Sequence, residues 1–345
     1  MKKHNFSMFK SLKKLIFWIF SFTLIVLAAF ISLVYYAHEI EPQKLTVTNV
    51  DITIPGLPRQ FAGLRIVQIS DLHGKVFSDN KLTDQINKLN PDILVITGDV
   101  LDSRFTDITY IERVLGPLQA KYGKFFVYGN NEYTSKLSRK EMDAAYKKAG
   151  VTVLSNSNFR VGKKGGHLWL VGVEDPNTGR ERLDKALTGT DIAPRILLAH
   201  SPEIINKARD KKIDLVLVGH THGGQINIPG LAERPALKDK VNLVLIKANL
   251  LLNRVLKFIL NHQDSLANLD LWNDQLALYS SRSAKLLSSE LMFSNNVQPG
   301  FEQYNAGLFK VGDTAMYVNR GLGETRLPMR LFAPPEISVF TLISR

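Results

Sequence analysis

Residues 214–225 read DLVLVGHTHGGQ: four aliphatic residues, Leu215 to Val218, run into Gly219 and then into His220 and His222. A run this short and β-branched, stopped by glycine, is the pattern of a strand buried on both faces. The pattern recurs upstream. Leu64–Ile69 (LRIVQI) leads into Ser70-Asp71-Leu72-His73, and Ile93–Thr97 (ILVIT) into Gly98-Asp99. Phe125–Tyr128 (FFVY) leads into Gly129-Asn130-Asn131-Glu132, and Ile196–Ala199 (ILLA) into His200. Leu168–Val173, Ala315–Val318 and Ile337–Leu342 complete the strand candidates. Between them Asn80–Leu89, Ile108–Leu118, Ser138–Ala149 and Pro202–Lys211 carry helical spacing, with Ser78 or Asp79 placed to cap the first. Strands separated by helices predict a layered α/β fold.

In an open α/β sheet the carboxyl ends of the strands share one edge, where ligands bind. Five loops then converge and bring together Asp71, His73, Asp99, Asn130, His200, His220 and His222. Carboxylate, imidazole and amide donors without sulfur suit manganese, iron, zinc or cobalt. Seven donors exceed what one catalytic ion needs, so two divalent metal ions are expected, a pair that clamps a phosphoryl group and lowers the pKa of a shared water. Asp-x-His and His-x-His each set two donors on one side of an extended segment. The glycines before Asp99, Asn130 and His220 let the backbone turn sharply beside them. A lone Asp after a strand is ordinarily a helix cap and a lone His a structural residue. Here four of the eight histidines stand in these motifs, which argues for a joint role.

Composition narrows the function classes. The 345 residues contain no cysteine, which removes disulfide frameworks, thiolate metal sites and cysteine nucleophiles together. A net charge of +12 suggests an anionic partner such as phosphate, anionic lipid or wall polymer. The basic residues are spread out and no nucleic-acid reader motif stands among them, so nucleic acid is not an expected partner.

Leu15 to Tyr36 (LIFWIFSFTLIVLAAFISLVYY) carries no charge. A helix of that length spans a hydrocarbon core of about 30 Å. Trp18, Tyr35 and Tyr36 suit its two interfaces. It exceeds the apolar core of a signal peptide and lacks a small-residue cleavage site, so an uncleaved single-pass anchor after a basic segment 1–14 is expected. Lys2, Lys3, Lys10, Lys13 and Lys14 precede the span, while Glu39 and Glu41 follow it. The positive-inside rule then sets the N-terminus in the cytoplasm of a bacterial cell and the catalytic domain, 45–345, outside. Residues 231–300 break the strand–helix rhythm and read as a helical insertion. Within it Val241–Leu260 is either packed on the domain or a basic amphipathic helix lying on membrane lipid.

The ordered series Asp71-x-His73, Gly98-Asp99, Gly129-Asn130, His200, Gly219-His220-Thr221-His222 resembles the signature of the calcineurin-like metallophosphoesterases. The flanking text (QISDLH, GHTHGGQ and VNRGLGETRLPMRLFAPPEISVFTL) is similar to their membrane-associated bacterial branch. The resemblance covers about 45–230 and 304–343. It implies a two-sheet α/β/β/α sandwich, here preceded by one transmembrane helix. It also implies phosphodiester or pyrophosphate hydrolysis by a metal-bridging hydroxide. By resemblance Asp71, His73, Asp99 and His222 would hold one metal, and Asp99 as a bridge with Asn130, His200 and His220 the other. Asp99, Asn130, Asn131 and His222 are the candidate catalytic residues.

One position departs from the family. Its Gly-Asn-His-Asp/Glu reads Gly-Asn-Asn-Glu here, so Asn131 stands where a histidine is thought to protonate the leaving group. Asn donates a hydrogen bond but cannot titrate. The loss matters least for stable leaving groups, which favours pyrophosphates or diesters of acidic alcohols. His167 and Glu132 are candidate substitute acids, though Glu132 more simply supports the Asn130 loop. Arg320, Arg326 and Arg330 either bind substrate phosphate or serve structure, and Asp102 either supports a ligand histidine or lies on a surface loop. Some family members resemble UDP-2,3-diacylglucosamine pyrophosphatases, which act on a lipid-linked pyrophosphate at the inner leaflet. The positive-inside orientation opposes a nucleotide-bearing substrate and favours a cell-envelope phosphoester. The alternative reading is a non-catalytic metal- or phosphate-binding module at the membrane, with Asn131 the mark of lost activity.

Overall fold

The computed structural model describes residues 2–102, 107–163, 165–229, 241, 244, 245, 248, 301, 303–325 and 327–344. The expected insertion 231–300, and with it the alternative of an amphipathic helix, therefore lies outside the described residues, apart from Val241, Val244, Leu245 and Ala248. Arg326 lies outside them as well.

Twelve strands are described: β1 (Thr46–Ile54), β2 (Arg65–Ile69), β3 (Ile93–Ile96), β4 (Lys124–Phe126), β5 (Val151–Val153), β6 (Ser157–Lys163), β7 (Gly166–Gly172), β8 (Arg195–Leu198), β9 (Leu215–Val218), β10 (Gly307–Val311), β11 (Thr314–Val318) and β12 (Glu336–Ser344). They form two six-stranded sheets, ordered β1-β12-β2-β3-β4-β5 and β10-β11-β9-β8-β7-β6. Strands β2 to β5 pair in parallel, as do β7-β8-β9-β11.

The short apolar runs alternate between two cores. In β2, Ile66 faces the other sheet while Val67 and Ile69 face the helices; in β9, Leu215 and Leu217 face inward while Val216 and Val218 face outward. A strand with apolar residues on both faces can only lie between two layers, which gives the helix–sheet–sheet–helix sandwich. Helices α2 (Lys81–Lys88), α3 (Thr109–Leu115) and α5 (Arg139–Lys148) cover the first sheet through Leu82, Ile86, Tyr110, Ile111 and Tyr146. Ser138 and Glu141 close a reciprocal capping box on α5. The expected cap of α2 differs: Ser78–Asn80 form a 3₁₀ turn and Asn80 occupies the cap with a left-handed backbone and no side-chain cap bond. The second sheet is covered by shorter turns. The expected helix over Pro202–Lys211 divides into Pro202–Ile204, Ile205–Ala208 and Arg209–Lys211.

The N-terminal helix α1 (Lys2–Tyr35) runs on through a π turn, Tyr36–Ile40, into a 3₁₀ turn, Glu41–Gln43. Leu12–Gln43 is long and apolar enough to cross a membrane, and its most apolar part is unburied by protein. Its lower end is different. Val34 and Ala37 are buried among Ile226, Leu327, Met329, Leu331 and Leu245, so the helix seats itself on the domain.

Candidate metal centre

The parallel strands of both sheets end on one edge, and the candidate side chains follow directly from those ends. Backbone bonds carry the pairing of neighbouring strands on into these loops: Asp71 N–H donates to the Gly98 carbonyl and His73 N–H to Asp99 beyond β2 and β3, and Gly219 N–H to His200 beyond β9 and β8. Gln68 Nε2 spans the sheets to Thr97 Oγ1 and the Val218 carbonyl.

Two clusters result. Asp71, His73 and His222 offer donor atoms within 4.8 Å of one another, as do Asp99, His200 and His220. Asn130 Oδ1 joins the second cluster, 3.1 Å from His200 Nε2. Asp99 reaches both, with Oδ2 3.6 Å from His73 Nε2 and 3.3 Å from His200 Nε2. His73 Nε2 lies 3.1 Å from His222 Nε2, and His220 Nδ1 lies 3.1 Å from His200 Nε2. The structure thus brings all seven sequence-derived candidates together.

Backbone conformation underlines the point. Asp71, His73, Asp99, His220 and His222 all have φ between 47° and 72°. That left-handed region is strained for residues with a Cβ, and such strain collects at functional sites. Gly98 has φ 87°, and a Cβ there would meet His200 Nδ1 at 2.6 Å. At Gly219 the need is for space: a Cβ would lie 2.0 Å from Ser70 Oγ and 2.3 Å from Asp71 Oδ2. Gly219→Ala is therefore expected to displace Asp71 and to lower metal content and activity together, measured by metal analysis beside turnover.

The donor chemistry fits divalent ions. A carbonyl only accepts, so His200 Nδ1, 2.8 Å from the Thr97 carbonyl, and His222 Nδ1, 3.2 Å from that of Gly323, are the protonated nitrogens of the neutral rings. Their Nε2 lone pairs then face other acceptors at buried positions. The donor atoms of the first cluster lie 3.1–3.9 Å apart, from His73 with His222 to His73 with Asp71, close enough for one ion to be shared. At His200 burial and the neighbouring carboxylates act in opposite directions. Burial disfavours its charge, yet the Asp99 and Asp71 carboxylates more than offset this and raise its pKa well above the usual value. Burial opposes ionisation of Asp99 as well, but His200 and His73 hold it low. Asp71 is raised, by burial first. His222 is lowered well below the usual value by burial, His73 and Arg330, and stays neutral.

Asn131 turns inward onto Asp99: its N–H donates to Oδ1 at 2.9 Å and its side-chain Nδ2 to Oδ2 at 2.5 Å. Glu132, at the start of α4 (Asn130–Thr134), is buried and accepts from the N–H groups of Asp99, Val100, Leu101 and Gly129. Burial and the Asp99 charge push its pKa up to about 7. His167 sits at the opposite end of the sheet, against Arg160 and Asp191. Asp102 Oδ2 lies 4.0 Å from His73 Nδ1, beyond direct hydrogen-bond reach. Arg330 is fully buried, and Arg320 is partly exposed with its Nε tied to Glu336. Sequence reasoning missed the carbonyls of Thr97 and Gly323, and also Asp175, which accepts from Ser201 beside His200. Backbone carbonyls carry no sequence signal. Asp175 did have one, since it follows the candidate strand Leu168–Val173.

The family profile for calcineurin-like phosphoesterases matches residues 64–224. Over 321 residues the chain is 28% identical to the uncharacterized metallophosphoesterase YkuE of Bacillus subtilis, covering 90% of this chain and 89% of that one. It is 33% identical over 208 residues to an uncharacterized metallophosphoesterase of Aquifex aeolicus, covering 56% and 76%. It is 28% identical over 253 residues to the UDP-2,3-diacylglucosamine pyrophosphatase LpxG of Chlamydia trachomatis, covering 59% and 77%.

Proposed function

The chain belongs to the calcineurin-like metallophosphoesterase family and is a metal-dependent phosphoester hydrolase; from that premise we propose that it is a membrane-anchored enzyme cleaving pyrophosphate or acidic phosphodiester bonds of a lipid-linked or cell-envelope substrate. The observation that carries the reading is the pair of buried donor clusters joined by Asp99. In this reading Asp71, His73, Asp99 and His222 hold one divalent ion, and Asp99, Asn130, His200 and His220 the second. When bound, such a pair supplies Lewis acidity toward the phosphoryl group and lowers the pKa of water. The chain's own residues do the rest. Asp99 is held by both donors of Asn131, and His200 and His222 are locked in one tautomer by backbone carbonyls.

Support for a lipid-borne substrate comes from the apolar helix and from similarity to LpxG, whose name states an acylated pyrophosphate. The five N-terminal lysines favour a domain outside the cytoplasm, and hence an envelope phosphoester over a nucleotide-bearing one. Asn131 favours good leaving groups. General-acid help is worth ~10²–10⁴-fold with poor ones, and Asn131 supplies none. Full-length protein in micelles, stripped of metal and reloaded with Mn²⁺, is expected to cleave matched pyrophosphates far better than alkyl phosphodiesters. Asn131→His is expected to raise the alkyl rate selectively. Equal efficiency on both substrates in the unmodified chain would sink the leaving-group argument. Turnover that survives His222→Ala would sink the metal assignment.

A further inference from the structure

The foot of the anchor reaches the site through Arg330. Arg330 N–H donates to the Ala37 carbonyl at 2.8 Å, and Ala333 N–H donates to Glu41 Oε1 at 2.7 Å. Ala37, Glu41 and Arg330 are all buried. The Arg330 guanidinium is spent mainly on carbonyls: Nη1 donates to Ala333 at 2.7 Å, and Nη2 to Gly323 at 2.5 Å and to Arg320 at 3.0 Å. Glu324 lies 3.5 Å from Nε and is shared with Lys75. A buried charge is costly unless closely paired, so an arginine used to pin a loop calls for a reason beyond packing. The Gly323 carbonyl it grips is the one that accepts His222 Nδ1–H, and Nη2 itself stands 3.5 Å from that nitrogen.

We propose that the anchor's foot is a working part of the metal centre: Ala37 fixes Arg330 directly and Glu41 fixes it through Ala333, and Arg330 is the positioning residue that holds the Gly323 carbonyl on His222. The Nδ1–H bond leaves the His222 Nε2 lone pair directed at Asp71 Oδ1, 3.4 Å away. The membrane helix therefore tethers the domain and also completes the surroundings of one metal ligand. This rests on the assignment of His222 as a ligand.

The test uses full-length chain in detergent micelles, stripped by chelator and titrated with Mn²⁺ alone. Glu41→Ala and Arg330→Lys are expected to weaken one of two Mn²⁺ sites by ~10–100-fold, the usual effect of losing a group that orients a ligand. Saturating Mn²⁺ is expected to restore most of kcat on bis-p-nitrophenyl phosphate. Lys124→Met, which removes a buried bond to the Leu115 carbonyl away from the site, is expected to lower the melting temperature of the metal-free protein without moving Mn²⁺ affinity. If Arg330→Lys fails to fold, Glu41→Ala decides alone. Unchanged Mn²⁺ affinity in the folded variants, whatever their melting temperatures, would overturn the proposal. An unmodified chain that binds no Mn²⁺ would instead remove the metal-centre reading itself, so the two failures are told apart.

Discussion

An Asp99→Ala chain is expected to lose at least ~10³-fold in kcat/KM on bis-p-nitrophenyl phosphate and to retain fewer than two metal ions per chain. The magnitude follows from what the carboxylate does. Losing a single preorganised charge-stabilising group costs ~10²–10³-fold, and Asp99 serves both clusters through one oxygen, Oδ2. It is also the acceptor for Asn131 N–H and Nδ2–H, so its loss frees the Asn131 side chain as well. Metal analysis of the purified variant beside its kinetics checks both halves. Two ions still bound at unmodified affinity would show that Asp99 is not shared between them.

Glu132→Ala is expected to be the most destabilising single change at the site, although Glu132 belongs to neither cluster. Its carboxylate accepts four backbone N–H groups, from Asp99 at 3.0 Å, Val100 at 2.7 Å, Leu101 at 3.2 Å and Gly129 at 2.8 Å. Each buried donor left unsatisfied costs about 1–3 kcal/mol, so a total of roughly 4 kcal/mol or more is expected. With about 2–4 °C per kcal/mol for a domain of this size, the melting temperature falls by roughly 10 °C. Activity falls with it, because the same four bonds join the Asp99 turn to the Asn130 turn. Glu132→Gln keeps one acceptor oxygen but sets an NH₂ against N–H donors, and is expected to fall between the two. Thermal melts of the metal-free proteins measure this without interference from metal binding. An unchanged melting temperature in Glu132→Ala would mean that water satisfies those donors.

The strands most legible in the sequence were those buried on both faces, because β2, β3, β8 and β9 are nearly uninterrupted apolar runs. The strands with no clear sequence signal, β1, β6 and β10, stand at sheet edges, where polar residues such as Asn49, Asp51, Arg160 and Lys310 break the run. β5, also at an edge, is only three residues long. The expected single helix over Pro202–Lys211 is instead three short turns, Pro202–Ile204, Ile205–Ala208 and Arg209–Lys211.

The seven donors were legible because parallel strands oblige the residues after their carboxyl ends to share an edge, so order along the chain becomes proximity in space. The departure at Asn131 was equally plain, since a side chain's capacity to titrate is a property of the residue alone. Tertiary structure decided what the supporting groups do. Glu132 became a backbone clasp, and Arg330 a buried brace on the Gly323 carbonyl. The end of the N-terminal apolar helix came to pack on Leu327, Met329 and Leu331, with its Ala37 carbonyl accepting from Arg330 N–H. Those roles depend on backbone carbonyls and N–H groups from segments up to about 290 residues apart, such as Ala333 on Glu41. Every residue but proline carries the same backbone N–H and C=O groups, so only the folded path of the chain determines which ones meet.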